Sequence, residues 1–299
     1  MNDVILIALS IGDYVLCLEG EEEEADYISH TLCSLPSTSR ISWRSCLQFM
    51  LQGQNMALHI LFFQLCVAIV ALPMHILVVL GLWKPIPKRF MPYLLAKMTS
   101  KYNQYMGEHK KELFSVLNDF KGPSGELKVL ELGCGTGANF PFYPSGCKVT
   151  CVDPNPNFKT YLSKSLAEND HVHFQEFLVA PGENMPQVAT GSMDVVICTL
   201  VLCSVENIDD ILTEIHRVLR PGGAFFFLEH VTEDKSSWRY FFQSILDPTW
   251  KHLADGCQLT KETWKNLERS KFSEVKYKHV LAPIKWSPVR CHICGYALK

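Results

Sequence analysis

Between Ser45 and Trp83 the chain has not one Asp, Glu, Lys or Arg. An uncharged stretch of that length excludes an ordinary solvent-facing segment. Within it, Ile60 to Leu80 is interrupted only by Gln64, Pro73 and His75. A helix needs ~20 apolar residues to cross ~30 Å of hydrocarbon, so this run suffices. Buried helices of soluble domains rarely stay apolar on every face for so long. Residues 56–83 are therefore expected to form a membrane-anchor helix. Pro73 near its centre allows a second geometry, a bend that returns to the same leaflet. Lys84, Lys88, Arg89, Lys97 and Lys101 follow at once. Residues 84–100 read as a basic juxtamembrane linker, and positive charge on this side places the C-terminal body in the cytosol.

Other absences narrow the reading further. There is no strong charge of either sign, since 28 Lys and Arg meet 31 Asp and Glu for a net charge of -3. With no basic patch or recognition module, no nucleic-acid partner is expected. Asp3 and Asp13 flank the short apolar run from Val4 to Ile11, and the basic start of a secretory signal is missing. Residues 1–55, with the acidic stretch Glu19 to Asp26, are expected to hold no folded domain. No internal repeat is visible. Cys291, His292 and Cys294 suggest a zinc ligand set, but no second pair lies at ribbon spacing, so no metal is expected. Twelve cysteines do not imply an oxidised protein. Cys134, Cys147, Cys151, Cys198 and Cys203 fall in or beside apolar strands, where free thiols behave as small hydrophobes.

Residues 101–299 show strands alternating with helices. Leu127 to Leu132, Lys148 to Val152, Val172 to Val179, Asp194 to Leu202 and Ala224 to Val231 read as five strands. A helix is expected over Lys101 to Phe120. Another covers Ile208 to Leu219, with Ile211, Leu212, Ile215, Val218 and Leu219 on one face. Such alternation predicts a doubly wound α/β domain. The last two strands, Phe272 to Val280 and Val289 to Leu298, have no helix between them and read as an antiparallel hairpin at the edge.

The chemistry gathers where strands meet loops. Leu130-Glu131-Leu132-Gly133-Cys134-Gly135-Thr136-Gly137 runs an apolar strand into alternating glycines, which lack Cβ atoms where backbone touches a ligand. The next strand ends at Asp153, twenty residues after Gly133, the spacing at which an acid accepts hydrogen bonds from ribose hydroxyls. A dinucleotide loop wants G-x-G-x-x-G, and here the third glycine comes one position early. Pro141 also shortens any following helix, weakening the case for a pyrophosphate on its dipole.

The pattern Gly133-x-Gly135-x-Gly137 resembles the first motif of the class I S-adenosylmethionine (SAM)-dependent methyltransferases. The stretches Gly182 to Pro186, Gly191 to Val196 and Arg217 to Gly223 agree with that family. The resemblance implies a seven-stranded, mostly parallel, Rossmann-like sheet and SAM as cofactor. It places Glu131, Gly133, Cys134, Gly135, Gly137, Asp153 and Pro154 around the cofactor. Gly182 and Glu183 fall at the adenine, and Thr199 and Leu200 flank the sulfonium. The strings at 133–140, 153–158, 198–205 and 246–250, with the apolar leader, look like the membrane-anchored thiol S-methyltransferases of the endoplasmic reticulum and lipid droplets. That family begins near Met56, so residues 1–55 lie outside the resemblance.

The resemblance implies small lipophilic thiols, including hydrogen sulfide, as acceptors, and a location on those two membranes. A thiolate is itself the nucleophile, so no strong base is required. Glu229 and His230 follow the fifth strand, where an acid or base would reach the pocket, and capping is the equal alternative. Cys203 and Cys257 read as structural thiols and Trp250 as packing. A methyltransferase of lipid or quinone oxygens and carbons is the rival enzyme. A membrane-association protein with a vestigial SAM fold is the rival outside enzymes.

Overall fold

The computed structural model describes residues 10–11, 14–15, 43–284 and 287–299, with side chains from residue 56 onward, apart from 285 and 286. Most of the expectation for residues 1–55 lies outside the described residues. Contacts divide the chain into residues 1–59 and 60–299. In the first unit, Ser10–Ile11 pairs antiparallel with Tyr14–Val15.

The second unit holds seven strands: β1 Lys128–Leu132, β2 Lys148–Val152, β3 His173–Leu178, β4 Met193–Thr199, β5 Leu219–His230, β6 Glu274–Leu281 and β7 Cys291–Leu298. They form one sheet in the order β3-β2-β1-β4-β5-β7-β6. β1 to β5 are parallel, and β7 runs antiparallel to both of its neighbours. The expected terminal hairpin therefore closes one end of the sheet, with β6 at the edge. The strand order reverses between β1 and β4, and such a switch point leaves a crevice at the carboxyl ends of the strands.

Strand alternation sends side chains to two cores. Leu130, Val196, Cys198, Phe225, Phe227 and Ile293 face helix α5 (Ile208–Val218). Its Ile208, Ile211, Leu212, Ile215 and Val218 are all buried at 3–4 spacing, and each contributes about 1.5–3 kcal/mol. Val129, Val149, Val195, Ile197 and Phe226 face the other way, against Met106, Leu113 and Phe114 and against Leu162 of helix α4 (Lys159–Glu168). Cys291 and Ile293 fall on the first face and Cys294 on the second, as period-2 alternation requires.

Two expectations change at the N-terminal side. The apolar run is not one helix. Helix α1 (Trp43–Val70) stops, α2 (Leu72–Val79) begins after Ala71, and their axes differ by 79°. Pro73 is the cause, because it lacks an N–H and its ring collides with the carbonyl four residues back. Among the described residues no single helix is long and apolar enough to cross a membrane, although the bent pair passes on length and composition together. The expected linker, residues 84–100, is also helical and belongs to α3 (Pro85–Phe114). Pro85 and Pro87 sit in its first turn, where a missing N–H costs nothing, and only Pro92 removes an internal bond.

Candidate active site

β1 delivers its glycines to the crevice with backbone that only glycine adopts readily. Gly133, Gly135 and Gly137 have φ of +58°, +50° and +74°. A Cβ on Gly133 would lie 2.3 Å from Val201 Cγ2, and one on Gly137 would lie 2.7 Å from the Phe140 ring. The chain then enters a turn and a short 3-10 stretch, Phe140–Phe142, rather than an α-helix. The loop therefore does not run into an α-helix of its own, the arrangement that holds a pyrophosphate in dinucleotide folds.

Asp153 ties β1 to β2. Its Oδ2 accepts from Gly135 N at 3.1 Å and its Oδ1 from Asn155 N at 2.8 Å. Burial pushes this carboxyl up to about 6, against those two backbone N–H groups, and the charge of Asp255 adds to the rise. Asp153 N donates to Leu178 O, so the end of β3 and the following turn with Gly182 and Glu183 lie at the same end of the sheet. Gly182 is required there for packing, since a Cβ would lie 2.7 Å from Ile211 Cδ1. Pro154 is exposed beside Asp153. Cys134 differs from its expected role. Its thiol is turned into the core beside Cys151, so only its backbone is available to a ligand.

Glu131 is buried at the end of β1. Its Oε1 accepts from Asn139 Nδ2 at 2.9 Å, and the same amide reaches Thr199 Oγ1 at 2.9 Å. Glu131 Oε2 and Asn139 Oδ1 are buried acceptors without a well-formed hydrogen bond among the described residues, and the buried, equally unpaired Tyr143 hydroxyl lies beside the Glu131 carboxyl. Two orphaned acceptors at the strand ends suit a ligand that brings donors, as the ammonium of a methionine moiety does. Burial pushes Glu131 up to about 7, against the nearby Lys110 charge. Leu200, at the far side, holds φ +59°, a left-handed backbone rare for a branched side chain.

Helix α3 roofs the loop, which sequence reading missed by assigning its first half to a linker. Asn155 Nδ2 donates to Lys88 O, Thr99 Oγ1 meets Thr136 Oγ1 at 2.9 Å, and Asn103 Nδ2 donates to Ala138 O. Lys110 is 1 % exposed, with Nζ donating to Asn103 Oδ1 at 2.8 Å and lying over the Tyr102 and Phe142 rings. Burial draws its ammonium down to about 7, with Glu131 opposing. The helical spacing that sets Lys110 on one face with Met106, Leu113 and Phe114 was the available signal.

On the acceptor side, Glu229 is committed to backbone. Its carboxylate takes Val201 N at 2.9 Å and Leu202 N at 3.0 Å, fixing the turn after β4. That is the capping alternative. His230 Nε2 lies 3.0 Å from Cys257 Sγ, and Trp250 Nε1 donates to the same sulfur at 3.3 Å. A hydrogen bond from Cys203, then His230 and Trp250, draw the Cys257 thiol down to about 5 against its burial. Asp247 accepts from Leu259 N and Thr260 Oγ1, bracing the same insert. Trp250 is thus a hydrogen-bond donor and not packing alone.

The general methyltransferase-domain family model matches residues 130–227. Human thiol S-methyltransferase TMT1A is 60% identical over 220 residues, covering 74% of this chain and 90% of its own. Human TMT1B is 54% identical over 236 residues, covering 79% and 97%. The chain belongs to this methyltransferase family. A solved carbon methyltransferase, CurJ, aligns over 91% of this chain and 77% of its own with a TM-score of 0.55. At 16% identity it shows the shared fold alone. Within the matched span, the glycine turn Gly133 to Gly137 is bonded to Asp153 through Gly135 N.

Proposed function

We infer that this protein transfers the methyl group of SAM to the sulfur of small lipophilic thiols, hydrogen sulfide among them, at a membrane surface. The observation that carries the cofactor is the joined pair of Gly135 and Asp153. It leaves the carboxylate's outer lone pairs for ribose hydroxyls, while Glu131 Oε2 and Asn139 Oδ1 lack donors that the methionine amino group supplies. The thiol acceptor rests on the two human relatives and their coverage.

The cofactor brings its own electrophile, a methyl on a sulfonium. The chain has to hold the acceptor sulfur in line and keep water out. A thiolate lone pair forms the new S–CH3 bond as the sulfonium S–CH3 bond breaks, leaving S-adenosylhomocysteine and a thioether, or methanethiol where hydrogen sulfide is the acceptor. Glu229 is a positioning residue in this reading, because its oxygens shape the turn from Val201 to Leu202. His230, at the end of β5, faces the Cys257 sulfur.

The bent apolar pair supports the membrane address. Leu61, Phe62, Leu65, Ile69, Val70, Leu72, Ile76, Val79 and Leu80 are all exposed. An apolar surface so large marks an interaction site. The pair also meets helix α6 (Trp238–Leu253), through Gln64 Nε2 to Ser244 O and Trp83 Nε1 to His252 O, each 2.8 Å. A monotopic seat in the cytosolic leaflet of the endoplasmic reticulum or a lipid droplet fits that geometry.

The demethylmenaquinone methyltransferase of Leptospira interrogans, 36% identical over 138 residues, favours a carbon-acceptor reading as the second choice. Methyl transfer from labelled SAM to thiols, alcohols, phenols and quinols decides between them, with Asp153→Ala beside the wild type on vesicles. Thiol-selective labelling lost in the variant supports the proposal. Labelling of quinols instead refutes it.

A further inference from the structure

Cys203, His230 and Cys257 come from three places in the sequence: the turn after β4, the end of β5 and the segment after α6. One Sγ from each cysteine and a ring nitrogen of the histidine lie within 4.8 Å of one another. Tetrahedral coordination with zinc bonds near 2.0–2.3 Å puts ligand atoms roughly 3.5–3.8 Å apart, so these three need only small movements to share one ion. All three residues are buried. We propose that they form a thiophilic metal site, for which zinc is the natural occupant, with its fourth position open to the acceptor thiol. This deepens the reading of the protein as a thiol methyltransferase, and the acceptor half of it rests on that reading.

The surroundings are built for the arrangement. Gln258 N donates to Cys203 O at 3.0 Å, so the two cysteine-bearing segments are joined through backbone. Gly256 permits the approach, since a Cβ there would lie 2.9 Å from Ser204 O. Lys261 Nζ donates to Leu202 O and Val205 O, clamping the Cys203 turn from its other side. Trp250 donates to Cys257 Sγ from outside the triad, as groups behind metal ligands do to orient and moderate a thiolate. Two thiolates, a neutral imidazole and a divalent ion sum to zero charge, which a buried site tolerates where lone thiolates are costly. His230 Nδ1 is buried without a partner among the described residues, so the ring is not tied up by other protein groups.

The donor set selects among metals. Thiolate and imidazole suit zinc and disfavour magnesium or calcium, which take oxygen. Three protein ligands with one open position is the catalytic form of zinc site. An entering thiol releases its proton to solvent and binds as thiolate. That sulfur then takes the methyl as the sulfonium bond breaks, and the resulting thioether, a neutral and poorer ligand, leaves. No oxidant or further reactant is needed.

The full chain, purified in detergent without chelator, is assayed for zinc, and the metal-free form is titrated with cobalt(II). Expected is one zinc per chain, together with the strong visible bands of a tetrahedral thiolate–imidazole cobalt site. Those bands shift when an alkyl thiol is added and stay unchanged with the matching alcohol. Cys257→Ser and His230→Ala lower affinity by at least about tenfold, and Trp250→Phe weakens it by a similar factor while leaving the ligand count intact. Cys291→Ser, which changes a buried thiol outside the group, keeps the site. SAM binding and a cooperative melt accompany each variant, so that unfolding is recognised. Wild-type protein with no zinc and no tetrahedral cobalt bands overturns the site whatever the variants do. A Cys203–Cys257 disulfide found in active enzyme overturns it as well. Metal held by the triad with no thiol-induced shift leaves the site standing and removes the acceptor role. Thiol methylation at the full rate by metal-free protein keeps the function and overturns the metal's acceptor role.

Discussion

Lowering the pH should weaken SAM binding through one identifiable carboxylate. Asp153 is held up at about 6 by burial, despite its bonds from Gly135 N and Asn155 N. Its ionised form accepts these two backbone donors and has lone pairs left for ribose hydroxyls. Protonation turns one oxygen into a donor facing donors. The ionised form is the binding form, so affinity is full above pH 7 and falls as pH drops through the folded pKa. If bound Asp153 stays ionised, the apparent Kd rises by the fraction of free protein protonated. Between pH 7.5 and 5 that is about tenfold, or about 1.4 kcal/mol.

Glu131, pushed up to about 7, titrates in the same window and would steepen the loss if its charge meets the methionine ammonium. Glu131→Gln keeps an oxygen for Asn139 and removes that second titration. Calorimetric or equilibrium-dialysis Kd values from pH 5 to 8 in both proteins separate the two groups. The expected outcome is a steeper curve for wild type and a residual drop of about tenfold in Glu131→Gln. A flat curve in Glu131→Gln, with the fold intact at pH 5 by near-ultraviolet circular dichroism, would refute the assignment of Asp153 to the ribose.

Other perturbations test other parts. Gly133→Ala combines a left-handed backbone with a Cβ 2.3 Å from Val201 Cγ2, so the melt should fall by the equivalent of about 2–4 kcal/mol with SAM binding lost. Unchanged melting would mean that the loop relaxes freely. Asp194→Ala removes a buried acceptor for Arg220 Nε, at 2.6 Å, and for Lys128 N, at 2.8 Å. Urea unfolding should report a loss of about 3 kcal/mol, the low end for breaking such a pair because the guanidinium is partly exposed, with KM for SAM unchanged. Charging the bent pair with Leu65→Asp and Ile69→Asp should release the protein from vesicles in flotation assays while turnover of a water-soluble thiol persists. Retention on vesicles would remove these exposed side chains from the membrane seat.

The sheet and cofactor loop were legible because their signals are local. An apolar strand, three glycines and an acid at fixed spacing state their geometry within a few dozen residues, and the structure brings Gly135 and Asp153 into one hydrogen bond. The amphipathic face of α5 was nearly as plain: Ile211, Leu212, Ile215 and Val218 are buried on it, Ile208 joins them, and Leu219 instead opens β5. The N-terminal side was less so. Composition distinguishes apolar from charged, but the axis of the apolar run depends on one proline. The basic run at 84–100 that read as a linker is helical, and its prolines fall mostly in that helix's first turn, where they are tolerated.

The acceptor side shows the opposite limit, since its chemistry is made by convergence. Cys203 and Cys257 read singly as structural thiols, and His230 singly as an acid–base candidate or a cap. No spacing rule relates positions 203, 230 and 257. Only the crossing of β4, β5 and the segment after α6 at the sheet's carboxyl end sets a sulfur 3.0 Å from an imidazole. The string at 291–294 illustrates the converse. Cys291 and Cys294 stand close in sequence, yet strand alternation sends them to opposite cores. Proximity in sequence brings no shared site there, while distance in sequence concealed the group that the fold assembles. In a doubly wound domain this asymmetry is expected. The cofactor is held by consecutive loop residues of one strand–turn unit, whereas the acceptor pocket is built from the ends of several strands and the insert that covers them.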